Sequence, residues 1–416
     1  MENNNIQKHN HNKDDMAIIS KISLLIFFTI ALNVDFNSSE IAWWGSFVFV
    51  IAGLFIHILK NGFIIKKYSF KYIVWSMIFI GFSVFSVSWA LQPQFSIEVI
   101  KKMIIRSLVL WCISIMCTKK KNFITILKLF IIASLINEAY IFSVIDIKTI
   151  GSMRIGAGSL GEKWNANDIG MIMSFAAFMA TFLYRYEQKK SKKYVYLIAI
   201  ILLGVIVVFT GSKKAVFIFS FASLLFYYIT SKNKLGAMVI VLLGAIITIY
   251  LIMNVPVLYN IMGERIEKLF FYFTGNGSTD NSTMLRIQMI EDGFSWFKDK
   301  FIIGYGINNY NELYGSMTGW YTYSHNNYIE LLIDLGIVGC IIYYFSYIYI
   351  LKNTLKRTKQ LFSAFSCSAV ITILISELGL VSYDVLYVQL LICLGFAAIS
   401  IDIQEENTCE EGSKVN

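Results

Sequence analysis

Apolar residues gather along this chain in long stretches separated by short polar segments. The stretches fall near residues 17–34, 41–59, 70–90, 99–117, 123–144, 168–186, 194–210, 214–230, 235–253, 326–350, 361–379 and 384–402. At about 1.5 Å per residue, a helix of roughly 17 to 25 residues crosses a hydrocarbon core about 30 Å thick. The pattern therefore predicts an all-α polytopic membrane protein with about twelve transmembrane helices. One interval breaks the rhythm: residues 254–325, between the ninth and tenth helices, are polar and aromatic. The predicted organisation is a tail (1–16), nine helices (17–253), one large loop (254–325), three helices (326–402) and a second tail (403–416).

Inside the loop the polar pattern acquires a period. From Leu285 to Lys300, Ile287, Ile290, Phe294 and Phe297 recur at spacings of three and four, with Gln288, Glu291, Asp292, Ser295 and Lys298 opposite them. That is an amphipathic helix, lying on the membrane surface or capping the bundle. GNGSTDNST (Gly275–Thr283) before it reads as a flexible turn, and GYGINNY (Gly304–Tyr310) after it as a glycine turn. At the tenth helix Ser324 or Asn327 is placed to cap, and Asn327 with Glu330 has capping-box spacing. Asn326, Glu330 and Asp334 repeat every fourth residue and share a face. Carboxylates that deep in an apolar run need cationic or hydrogen-bonding partners, which makes Glu330 and Asp334 structural partners within the bundle.

Composition and charge sharpen the class. With 416 residues, 56% of them hydrophobic and 15% charged, the chain is too apolar for a soluble domain. The net charge of +9 does not indicate nucleic acid, because the bases lie between the apolar runs, where they set orientation. With the N-terminus inside, the inner segments hold 21 Lys and Arg and the outer ones 12. Both termini are then cytoplasmic and the large loop faces outward. The six cysteines lie in apolar segments or the C-terminal tail, so no disulfide framework is expected. The N-terminal tail shows no cleavable-signal pattern, and His9 and His11 read as tail residues rather than a metal site.

Several bases stand where electrostatics alone would not place them. Lys213 and Lys214 occupy the outer N-terminus of the eighth helix, against both the positive-inside bias and the helix dipole, and an anionic ligand would remove both objections. In the fourth helix Lys102 has Glu98 one turn away, whereas Arg106 must find an anion across the bundle, from substrate or protein. Met153–Met171 adds Arg154 and the pair Asn165 and Asn167 ahead of the sixth helix. His325 lies at the positive end of the tenth helix dipole, a place that favours phosphate.

The order of these parts, WNANDIG, GSKKA, LRIQMIEDGFSWFKDKFIIGYGINNY and SHNNYIELLIDLGIVG, resembles the O-antigen ligase and polymerase family over roughly Arg154 to Phe345. The resemblance implies a metal-independent, inverting glycosyltransferase without a cofactor. It would use a polyprenyl-diphosphate-linked glycan (undecaprenyl type) on the outer face of the plasma membrane. It also implies that Arg286 is the loop arginine that engages the donor diphosphate and that His325 is the family's functional histidine, either a general base or a diphosphate ligand. The second family arginine usually follows a serine like Ser212; here Lys213 stands there, a point charge instead of a planar fork. Lys213, Lys214, Arg106, Arg154 and Asn167 are the expected substrate-binding residues. The expected activity is polymerisation of repeat units into capsule, exopolysaccharide or O-antigen, in company with a flippase and a chain-length regulator. A ligase performing the same chemistry is the alternative, and a glycan-lipid flippase or anion carrier is the rival of another class. A carrier would show inverted repeats with helices broken near the bilayer centre, and the sequence reading finds neither.

Overall fold

The computed structural model describes residues 15–33, 39–146, 154–156, 165–274 and 281–414. His9, His11 and residues 275–280 of the expected turn lie outside them. Every predicted apolar run is a helix: α1 Ile18–Ala31, α2 Glu40–Asn61, α3 Lys67–Ser86, α4 Pro93–Met116, α5 Lys120–Val144, α6 Ala166–Tyr186, α7 Lys190–Phe209, α8 Lys213–Thr230 and α9 Lys234–Asn254 come first. The interval that follows contains α10 Glu264–Phe273, α11 Asn281–Phe297 and α12 Tyr310–Thr318, and α13 Asn327–Thr354, α14 Leu361–Ser376 and α15 Leu386–Lys414 close the chain. Among the described residues there is no strand, and nine helices are long and apolar enough to cross a membrane. Of the other three runs, α1 and α14 are shorter apolar helices, and α4 carries Glu98, Lys101, Lys102 and Arg106 within its length. The protein is a multi-pass membrane protein.

Polar side chains start several helices where the sequence supplies them: Ser39, Asn165, Ser212 and Asn233 each accept a first-turn N–H. The membrane-spanning part of α15 is almost wholly buried at the centre, whereas α9 buries only Ala237 and Ile252. Lipid offers no hydrophobic drive for helix association, so close backbone approach and interhelical hydrogen bonds matter. Gly170 of α6 provides such an approach: a methyl there would lie 2.6 Å from Ala215 Cβ of α8. Ser174, one turn on, has its Oγ 2.7 Å from the Ala215 carbonyl.

Three expectations need correction. The helix α11 exists and caps the bundle; Ile290 and Phe297 of the expected stripe pack inward, but its most buried positions are Met289 and Gly293, and Phe294 is 51% exposed. The cause is its partner: α11 packs on Ile329 at the start of α13 and on Tyr310. The cap of α13 is Asn326, whose side chain accepts from the N–H groups of Tyr328 and Ile329 at 3.0 and 3.2 Å. Ser324 is occupied with the Asn326 backbone, and Asn327 reaches across to the N–H groups of Ser382 and Tyr383.

The third correction concerns continuity, because α13 is broken at Gly336 (φ 65°, ψ −167°). A break in a membrane helix releases backbone groups that must be met by protein, and the segment after α11 meets them. Tyr305 and Gly306 donate to the carbonyls of Ile333 and Asp334 at 2.9 and 2.8 Å, while Ile337 and Val338 donate to Phe301 and Ile302 at 2.9 and 3.2 Å. The Asp334 carboxylate accepts three consecutive N–H groups, of Asn308, Asn309 and Tyr310, at 2.6, 2.9 and 2.8 Å. The glycine turn is thus a cradle for a carboxylate of this chain, and the partners of Asp334 are backbone dipoles, not a cation.

Candidate functional site

Short-range bonding brings the separate motifs to one end of the bundle. Asn165 caps α6, which presents the Asn167 side chain to accept from Ser212 Oγ at 2.9 Å. Ser212 in turn caps α8 through the Ala215 N–H, so Lys213 and Lys214 start that helix beside α6. Arg154 donates from Nε to the Thr210 carbonyl at 2.7 Å, and Ile155 N–H to the Phe209 carbonyl at 3.0 Å. Arg154 and Asn167 therefore hold the turn that carries the two lysines. Lys214 lies within the electrostatic reach of Asp168 and Arg286, and its stem runs alongside Gly379.

His325 projects from a turn that is bonded on both sides. Ser324 N–H donates to Glu330 Oε2 at 2.7 Å, Ser324 Oγ to the Asn326 carbonyl at 2.8 Å, and Asn326 Nδ2 to the Leu378 carbonyl at 3.3 Å. This arrangement holds His325 in the left-handed region (φ 58°), with its ring 4.3 Å from that of Tyr323. Its Nδ1 is buried and has no hydrogen-bond partner among the described residues, and the same is true of Glu330 Oε1. Burial first, and then the positive charges of Arg286 and Lys214, push the His325 imidazole down to about 3 from 6.5. His325 is thus neutral near physiological pH in the empty protein.

That shift has a testable sign. Between pH 6.5 and about 3 the unfolded chain binds a proton at this residue that the folded protein does not, so the contribution of His325 to stability is intact above 6.5 and falls as the pH drops through this window. Thermal melting of detergent-purified protein across the window should show a shallower decline for His325→Gln than for the wild type. Parallel curves would remove the shift.

Beneath this rim lies a cavity of about 520 Å³, lined among others by Tyr323, Glu330, Asp168, Asn308, Lys102 and Arg106. Lys102 pairs with Glu98 at 3.5 Å, as its spacing predicts. The anion that Arg106 requires comes from the protein: its guanidinium bonds the Asp384 carboxylate at 3.0 Å and the Asp384 carbonyl, and sits 5.5 Å over the Trp43 ring. Its Nε remains buried without a partner among the described residues.

Residues 198–344 match a family model, described as O-Antigen ligase. That segment is similar to the O-antigen ligase family. Comparison with curated proteins finds no match. The matched segment contains Lys213, Lys214, Arg286, His325, Glu330 and Asp334, and leaves Arg106, Arg154 and Asn167 outside it. The family is one of ligase-type, glycosyl-transferring enzymes of the membrane.

Three acids at or below the rim were not singled out from sequence. Asp168 sits in the first turn of α6 and Asp384 immediately before α15; both line the cavity. Glu377, at the end of α14, is fully buried and accepts from the hydroxyls of Tyr344 and Tyr347, each at 2.9 Å. The available signal was SELGLVSYD (Ser376–Asp384), a polar interruption between the last two apolar runs that carries two acids and no base.

Proposed function

We propose that the protein joins polyprenyl-diphosphate-linked oligosaccharide repeat units into a polysaccharide, by metal-independent, inverting transfer on the outer face of the plasma membrane. The observation that carries this reading is the meeting of Lys214 from α8, Arg286 from α11 and His325 from the turn before α13 at one rim, close enough that their charges act on one another. Two basic side chains beside a neutral imidazole suit a diphosphate leaving group. The acceptor hydroxyl attacks the anomeric carbon from the side opposite the diphosphate, the bond from that carbon to the diphosphate oxygen breaks, and Arg286 and Lys214 hold the departing charge. His325 takes the hydroxyl proton or donates to the diphosphate. A bound diphosphate would offset the positive charges around the imidazole and bring its proton affinity closer to working pH. Outward placement is supported by the excess of bases in the segments assigned to the inside. A flippase and a chain-length regulator of the same pathway are the proposed partners.

The test is product analysis with purified protein and one lipid-linked repeat unit serving as donor and acceptor. A ladder of lengths supports the polymerase; product formed only after a second lipid or protein acceptor is added makes it a ligase. Failure with both, together with anion uptake by vesicles containing the protein, makes it a carrier. EDTA should leave the ladder unchanged.

The two lysines separate under the same assay. The resemblance gives the diphosphate to Lys213, whereas the charge of Lys214 acts on Arg286 and His325. Lys214→Gln is expected to slow product formation about 10- to 100-fold, and Lys213→Gln less. A larger loss at Lys213 would return the diphosphate to the position that the motif indicates.

A further inference from the structure

The first half of α3 and the second half of α13 diverge to leave a groove of about 460 Å³, lined by Trp75, Ile78, Ile341, Phe345 and Phe396. It begins roughly 24 Å along α13 from His325, beyond the break. Ile78, Ile341 and Phe345 are each more than half exposed, so this is an open furrow in the membrane-facing surface, not an internal cavity. Its floor is fixed, because Trp75 Nε1 donates to the Ile342 carbonyl at 2.8 Å.

One end of the groove carries a cation. Lys71 donates from Nζ to the Tyr349 hydroxyl at 2.8 Å and stands 4.7 Å over the Tyr349 ring and 5.6 Å over that of Tyr68. No carboxylate pairs with it among the described residues. A cation on a membrane helix calls for an anion or for the headgroup region. Having accepted from Lys71, the Tyr349 hydroxyl keeps its own proton to donate. Lys66 and the exposed Lys67 flank the same end. An apolar furrow about 10 Å long, from Lys71 to Ile78 along α3, that ends in two donors and further bases fits a molecule with a long hydrocarbon chain and a negative head.

We propose that this groove seats an acyl chain of an anionic phospholipid, with Lys71 and the Tyr349 hydroxyl on its phosphate. The bound chain braces α13 beyond its break through Ile341, Phe345 and Trp75. This proposal does not depend on the reaction assigned to the other end of the bundle.

The test uses the full-length protein in nanodiscs of phosphatidylcholine, into which phosphatidylglycerol or phosphatidylcholine brominated on an acyl chain is titrated. Bromine quenches nearby tryptophan, and subtracting the signal of Trp75→Phe isolates Trp75. Brominated phosphatidylglycerol should reach half-maximal quenching of Trp75 at about a fivefold lower mole fraction than brominated phosphatidylcholine, the ratio that one basic side chain supplies. Lys71→Gln should abolish that preference without reducing maximal quenching. Equal quenching by both lipids would overturn the proposal in favour of ordinary surrounding lipid, and absence of quenching would overturn it by showing the groove closed. If Trp75→Phe does not fold, native mass spectrometry of the unaltered protein decides: retained phosphatidylglycerol that Lys71→Gln sheds supports the site, and indiscriminate retention refutes it.

Discussion

Arg286→Ala and His325→Ala are each expected to lower polymer formation by about 100- to 1,000-fold, the range typical of removing one group that stabilises developing charge, while the protein stays in the membrane at wild-type levels. No hydrogen bond or ion pair among the described residues involves Arg286, so its removal breaks none of them. It sits on α11, whose packing on α13 runs through Met289 and Gly293. The turn that carries His325 is held by Ser324, Asn326 and Glu330, none of which needs the imidazole. Histidine occurs in the left-handed region several-fold more often than most residues, so alanine at 325 adds about 1 kcal/mol of backbone strain. Repeat units should accumulate singly on their lipid carrier, with Arg286→Ala melting as the wild type does and His325→Ala a few degrees lower. Normal chain lengths from either variant would remove that residue from the diphosphate. Loss of both polymer and folded protein would show the residue to be structural.

The largest expected effect on stability comes from Gly336→Ala. An added Cβ would lie 2.3 Å from the carbonyl carbon and oxygen of Ile302, which are backbone atoms that cannot swing aside. The φ of 65° adds the strain of an L side chain in the left-handed region. Gly319→Ala is the control, since its φ is 76° but nothing lies within 4 Å of the added methyl. The control should cost about 1 kcal/mol, and Gly336→Ala about 3 kcal/mol or more, because the carbonyls and N–H groups around the break lose their partners together. Thermal melting checks the order. Limited proteolysis checks the cause, with new cleavage around 300–306 expected in Gly336→Ala alone. Equal melting of the two variants would mean that the break tolerates a side chain.

Much of this was readable in the chain because membrane helices follow from uninterrupted apolar length, a property of neighbouring residues. The twelve runs all became helices for that reason. What could not be read was partner choice across the bundle. Arg106 visibly needed an anion, but nothing near it in sequence names Asp384, which is 278 residues away. The buried stripe of α11 was readable only in part because its apolar positions permit two neighbouring faces, and contact with Ile329 selects between them. The break at Gly336 was hidden within an apolar stretch, since its compensation comes from residues 301–306, where the sequence shows only a glycine turn.

The fastening of that segment to α13 also bears on how the protein can open. Four backbone bonds across the break and three to the Asp334 carboxylate join the two. At about 1 kcal/mol net for each, undocking costs on the order of 7 kcal/mol, so on the order of one molecule in 100,000 would be open at a given moment. The segment from 301 to 310 is therefore a standing wall of the cavity and not a door. An opening that admits the proposed lipid-linked glycan is therefore expected elsewhere in the lining, which comes from α1, α2, α4, α6 and residues 380–387.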